Sequence, residues 1–178
     1  MTAATAHQTA GPYWHLIDFP EWADLLRADG PNAGIPGPRI TLSGRITDSA
    51  GNPAGDAMVE VWQADAAGSY DPPFHGFGRS ATDKDGVFRF TTLRPGPVPG
   101  LGNATQAPHI TLAIFARGLM KHLVTRVYFA GEALNATDPV LNAAGARAGT
   151  LIARETAAGA WRLDIVLQGA GETVFLDV

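Results

Sequence analysis

The chain has 178 residues, of which 46% are hydrophobic and 17% charged, with a net charge of −4 and no cysteine. That length and apolar share suit one domain with a sizeable core, and the acidic balance argues against nucleic-acid or anionic-membrane surfaces. Lack of cysteine excludes disulfide scaffolds, thiol nucleophiles, Cys-ligated zinc and iron–sulfur clusters, leaving His, Tyr, Asp or Glu for any metal.

Met1–Ala10 (MTAATAHQTA) has neither a basic leader nor a continuous apolar stretch, so it predicts no secretory signal. No apolar run approaches the roughly 18 residues of a membrane span, and the expected location is the cytoplasm. Asp18–Arg27 predicts a short helix, with Asp18 as N-cap, Pro20 in the first turn and Leu25/Leu26 as its apolar edge. Ala28–Arg39, with three Gly and three Pro, predicts a long loop.

Alternating patterns then predict strands. Ile40, Leu42 and Ile46 share a face of the first. In Met58–Gln63, Val59 and Val61 oppose Trp62. Further strands are expected at Val87–Thr91, Ile110–Ile114, Leu123–Phe129, Thr150–Ala153, Trp161–Leu167 and Thr173–Asp177. Asp48–Pro53 and Asp83–Gly86 carry turn chemistry, and Arg94–Pro108 reads as a second long loop. The expected fold is all-β, an antiparallel sandwich of about eight strands, as a single domain over residues 1–178 with 1–39 as N-terminal arm, helix and loop.

Motifs for nucleophile elbows, phosphate loops and zinc proteases are missing. The five histidines (7, 15, 75, 109 and 122) include no pair at i, i+2, the spacing by which one strand aims two imidazoles at one metal. His109 opens a strand directly after the Pro-rich loop, and the position pointing the same way is Thr111, whose hydroxyl is a poor iron ligand. Trp62 and Tyr128 read as core and interface residues.

Gln8-Thr-Ala-Gly-Pro-Tyr13, Val59-Glu-Val-Trp-Gln-Ala-Asp-Ala-Ala-Gly-Ser-Tyr70, Leu93-Arg-Pro-Gly96, Ala107-Pro-His109, Arg126-Val-Tyr-Phe129 and the Gly-Glu-Thr-Val-Phe ending resemble the intradiol ring-cleavage dioxygenases. Within that family the chain is similar to the chains of two-chain members that lack iron. The resemblance implies a partner beta chain that holds Fe(III) through two tyrosinates and two histidines, with protocatechuate and O2 meeting at the interface in a higher-order alpha–beta assembly. One ligand tyrosine of the family corresponds to Val98 here, and its His-x-His pair to His109-Ile-Thr111. The segment holding its other ligand tyrosine is shortened between Tyr70 and Phe77. The resemblance therefore implies no metal and no catalytic residue in this chain, with Val98, His109 and Thr111 left as a pseudo-site. It also implies that Thr9, Gly11, Pro12 and Tyr13 line the partner's substrate pocket. Arg117 is expected to meet either the substrate carboxylate or an interchain partner.

Two other readings compete. Gly-x-x-x-Asp turns with Asp-x-Asp-Gly-x-Phe also occur in transthyretin-like and carboxypeptidase-regulatory-like binding modules. A self-sufficient catechol or hydroxyquinol dioxygenase is the second, opposed by the missing ligands.

Overall fold

A computed structural model describes residues 19–100 and 102–177, and the elements below are those of the described residues. Eleven strands follow in chain order: β1 (Arg39–Thr47), β2 (Met58–Gln63), β3 (Phe77–Ala81), β4 (Val87–Leu93), β5 (Val98–Pro99), β6 (Thr105–Gln106), β7 (His109–Phe115), β8 (Leu123–Phe129), β9 (Ile152–Ala157), β10 (Ala160–Arg162) and β11 (Ile165–Val166). One helix, α1 (Pro139–Ala143), sits between β8 and β9 and is flanked by 3-10 turns.

Nine strands join in one hydrogen-bonded sheet, ordered β11-β1-β10-β9-β8-β7-β2-β3 with β4 on the free side of β1. The end strands β3 and β4 pack beside each other, so the sheet curls almost closed around its apolar face. Into that interior point Ile40, Leu42 and Ile46 from β1, Phe88 and Phe90 from β4, Val59 and Val61 from β2, and Ile110, Leu112 and Ile114 from β7. Strict alternation along these strands puts one side chain in two out of water, and burial of that apolar face is the main stabilising term. A smaller cluster of Ala107, Tyr128, Leu141, Leu151 and Val174 lies on the outer face of β8, under α1.

The all-β class holds, and the strand count and pairing differ from expectation. The sheet is mixed, because β1 pairs in parallel with β10 and β11, and β8 with β9. Expected Trp161–Leu167 is two short strands. Between them Leu163 N–H donates to Ser43 O, and the Asp164 carboxylate accepts from Arg45 N–H, so the chain kinks while staying on β1. Thr150–Ala153 begins as a 3-10 turn and becomes strand only at Ile152. Thr173–Asp177 makes only one bridge, between Leu176 and Val124.

The predicted Asp18 N-cap lies outside the described residues, and the rest of that segment is a 3-10 turn over Pro20–Ala23 in place of a helix. Asp24 is extended, Leu25 N–H donates to Thr91 O, and Leu25 and Leu26 are buried. Joining the sheet buries two leucines, which outweighs the weak helical preference of ten residues. Within the Ala28–Arg39 loop, buried Asn32 donates to Leu25 O and His75 O and accepts from His75 N–H. That loop is a clip between segments. The 94–108 loop contains the β5–β6 ribbon.

Gly44 marks the tightest packing in the sheet. A Cβ there would lie 1.9 Å from Leu163 O and 2.7 Å from the Phe88 ring. Backbone on one side and a buried ring on the other leave no route for relaxation. Gly44→Ala is expected to destabilise the chain by about 2 kcal/mol or more, in the range of overpacked core sites, measured by urea unfolding. A loss below about 0.5 kcal/mol would contradict this packing.

Candidate functional site: a pseudo-metal site on the outer face of β7 and β8

Cross-strand neighbours in a sheet share a face, so register decides which polar residues meet. His109 stands opposite Tyr128, and Thr111 lies between Trp62 on one side and Arg126 on the other. Alternation sends Ile110, Leu112 and Val127 to the core and leaves His109, Thr111, Arg126 and Tyr128 together outside. Val98, buried, pairs with Gln106 in the ribbon. Arg126 Nη1 donates to Gln106 Oε1 at 2.6 Å and to the Tyr128 hydroxyl at 3.3 Å. His109 and Thr111 thus share a face with the Arg126 guanidinium, and Val98 is linked to it through Gln106.

The His109 ring is 3% exposed, and its Nδ1 lies 2.7 Å from Ala107 O. A carbonyl only accepts, so Nδ1 carries the proton and the lone pair is left on Nε2. Burial, helped by the Arg126 charge, pushes its pKa down to about 4, so the ring is neutral at physiological pH. Tyr128 donates to Asp138 Oδ1 at 3.0 Å, and burial pushes its phenol up to about 12, against the pull of Arg126. Tyr70 stacks on Trp62 with ring centroids 5.9 Å apart, and its phenol is also raised by burial, opposed by Arg126. Burial thus raises both phenols, which opposes the deprotonation that an iron-binding phenol requires.

A ferric ion does not fit these residues. Val98 offers an alkyl group, Thr111 a hydroxyl, and Arg126 contributes a permanent positive charge where a trivalent cation would need anions. Among the described residues no cluster of three or more His, Asp or Glu is arranged for a metal.

Arg117 is placed elsewhere. It follows β7 at the end remote from His109, about 20 Å along the strand at some 3.3 Å per residue, and its guanidinium is 86% exposed on Asp56 at 2.7 Å. The expected pocket residues Thr9, Gly11, Pro12 and Tyr13 lie outside the described residues. Of the two residues expected in core and interface, Tyr128 is buried and Trp62 is half-exposed on the outer face.

Sequence reasoning missed three members of the site, Gln106, Arg126 and Asp138. Asp138 is fully buried; its Oδ1 caps α1 through Val140 and Leu141 N–H, and its Oδ2 accepts from Ala107 N–H at 2.8 Å. The signal was the Asp-Pro pair, an N-cap followed by Pro at the first helical position. Arg126 was legible as a charge in phase with Tyr128 along Leu123–Phe129.

Several quoted motif residues instead hold the fold. Gln63 donates to Leu93 O and Ala64 O and accepts from Thr92. Asp65 caps its own turn through Ala67 and Ser69 N–H. Gly68 has φ +87° and faces Pro97 O, so a side chain there would be both strained and obstructed. Arg94 lies over the Phe129 and Trp161 rings at 4.1 and 4.8 Å and pairs with Glu132.

Fold and site together define an all-β scaffold of the ring-cleavage dioxygenase kind, with His109, Thr111, Tyr128 and Arg126 gathered on the outer face of β7 and β8. A family model described as Dioxygenase (Dioxygenase_C) matches residues 10–169, and the chain belongs to the intradiol ring-cleavage dioxygenase family. It is 41% identical to the protocatechuate 3,4-dioxygenase alpha chain of Pseudomonas putida, over 97% of this chain and 96% of that one. The beta chain of the same enzyme from Burkholderia cepacia is 37% identical, over 84% of this chain and 73% of that one. Among solved structures, the dioxygenase domain of a carbohydrate-binding fusion from Streptomyces sp. SirexAA-E superposes with a TM-score of 0.67 at 30% identity, over 93% of this chain and 99% of that one. This membership sets aside the binding-module reading.

The depressed His109 pKa makes stability depend on pH. In the unfolded chain the ring titrates near pH 6.5, and in the folded chain near 4. Between these values the unfolded state binds the extra proton. The contribution is therefore complete above pH 6.5 and is lost as pH falls toward 4, up to about 3 kcal/mol. His109→Gln is expected to show a smaller loss of urea-unfolding free energy between pH 7 and pH 4.5 than the wild type. Equal losses would assign the pH dependence to other groups.

Proposed function

We propose that this chain is the non-metal subunit of a heteromeric protocatechuate 3,4-dioxygenase, inactive alone, and that it completes the substrate pocket of an iron-bearing beta subunit. The family carries out O2-dependent intradiol ring cleavage, and on this reading the product is 3-carboxy-cis,cis-muconate. Support for the assignment comes from near full-length similarity to alpha chains combined with Arg126, Thr111 and Val98 occupying the pseudo-site. The same residues oppose a self-sufficient catechol or hydroxyquinol dioxygenase.

Ferric iron would reside in the partner and open the catechol ring there. This chain's contribution is shape and charge. On this reading Gly11, lacking a side chain, suits close approach to a planar ring, and Pro12, with its fixed φ, has little entropy to lose on ordering. Thr9 and Tyr13 complete that wall. Arg117, exposed and held by a single carboxylate, is a permanently charged group available to the substrate carboxylate or to the partner chain. The whole of residues 1–178 acts as one domain, in the cytoplasm, and its alpha–beta pairs repeat into a larger closed assembly. No helix among the described residues is long and apolar enough to cross a membrane.

The test is co-expression with an iron-bearing beta chain and steady-state kinetics on two substrates. Arg117→Ala is expected to raise KM for protocatechuate roughly tenfold or more while changing catechol little, because only protocatechuate has a carboxylate to pair. Deleting Met1–Tyr13 is expected to lower activity sharply with iron retained. Equal effects of Arg117→Ala on both substrates would place Arg117 in the interface, and full activity of the deletion would make the arm a packing element.

A further inference from the structure

Next to the pseudo-site lies a cleft of about 620 Å³. Its walls are alkyl and aromatic, with Pro139, Val140 and Ala143 from α1 and Phe175 from the C-terminal segment, while Gln106 and Arg126 supply polar groups. Small-molecule sites have this volume and this makeup, mostly apolar with a few fixed polar atoms.

The Arg126 guanidinium has five N–H donors, and its two hydrogen bonds, to Gln106 Oε1 and the Tyr128 hydroxyl, both come from Nη1. Neither acceptor is charged. The half-buried arginines Arg79 and Arg94 pair with Glu60 and Glu132, whereas among the described residues no carboxylate lies in ion-pair contact with Arg126. Nearby acids are committed: Asp138 accepts four hydrogen bonds, and Asp177, at the cleft, is exposed and bonded to Lys121. A partly desolvated cation with neutral partners and its Nε and Nη2 donors unmatched favours an anion, and a planar fork suits a carboxylate.

We propose that this cleft binds a small organic carboxylate with an apolar body, the carboxylate on Arg126 and the body against Val140, Ala143 and Phe175. This goes beyond the subunit role and depends on no part of it.

Fluorine NMR titration of the purified full chain tests it, using 4-fluorobenzoate, which has no vicinal diol and so reports nothing about an iron site. Saturable binding is expected, with 4-fluorobenzamide at least tenfold weaker. Arg126→Gln is expected to weaken the acid at least tenfold. Ala143→Trp fills the cleft from an exposed position without touching the Arg126 hydrogen bonds, and should abolish binding with the melting temperature retained. Equal affinity for acid and amide, unchanged binding in Ala143→Trp, or no saturation would overturn the proposal. Displacement by inorganic phosphate as effective as by unlabelled benzoate would reduce the cleft to a general anion site and overturn the organic-carboxylate assignment.

Discussion

The outer face of this fold is organised by one buried carboxylate. Asp138 accepts from Ala107 N–H, the Tyr128 hydroxyl and two N–H groups at the start of α1, so it ties the Ala107 segment and α1 to β8. Four donors offset the cost of withdrawing its charge from water. With Tyr128 donating to Asp138, the phenol oxygen is turned to accept from Arg126. Arg126 in turn holds Gln106, and Gln106 pairs with Val98 in the ribbon. Fixing Ala107 also sets the carbonyl that holds His109 Nδ1. The positions of Ala107, His109, Tyr128, Arg126 and Gln106 are linked through that anchor.

Electrostatics then separate this chain from a metal-binding one. An iron site needs anionic phenolates and imidazole lone pairs converging on one point. Here burial raises the two phenols of the face, which opposes their deprotonation, and the central group is a cation. The Gln63 clip and the Asp65 turn bond to backbone groups of Leu93, Ala64, Ala67 and Ser69, so the framework they hold needs no iron. On the proposed reading, such a framework contributes surface, charge and assembly in place of metal ligands.

Much of the fold was legible in sequence because period-two alternation reports directly on burial. β1, β2, β4, β7 and β8 lie where Ile40/Leu42/Ile46, Val59/Val61, Phe88/Phe90, Ile110–Ile114 and Leu123–Phe129 predicted. The failures have a common cause. Short elements such as β3, β5, β6 and α1 carry too few residues for a period to register, and their existence depends on distant partners. The Asp18–Arg27 helix failed because Leu25 and Leu26 gained more by joining the core than by completing a helical turn. At the site, His109 and Thr111 were legible from their spacing on one strand. Arg126 and Asp138 left local signals, but their convergence with Gln106 on His109 did not show, since it depends on the pairing of β7 with β8 and of β5 with β6 and on the bonds from Asp138 to Ala107 and Tyr128.

The central claim is that this chain cannot hold ferric iron, because Val98 and Thr111 stand where the resemblance puts ligands and Arg126 adds a positive charge on the same face. Its most direct test is metal analysis with visible absorption of the purified full chain after loading with iron. The account predicts no stoichiometric iron and no tyrosinate-to-iron charge-transfer band. Stoichiometric iron accompanied by that band in this chain alone would contradict it.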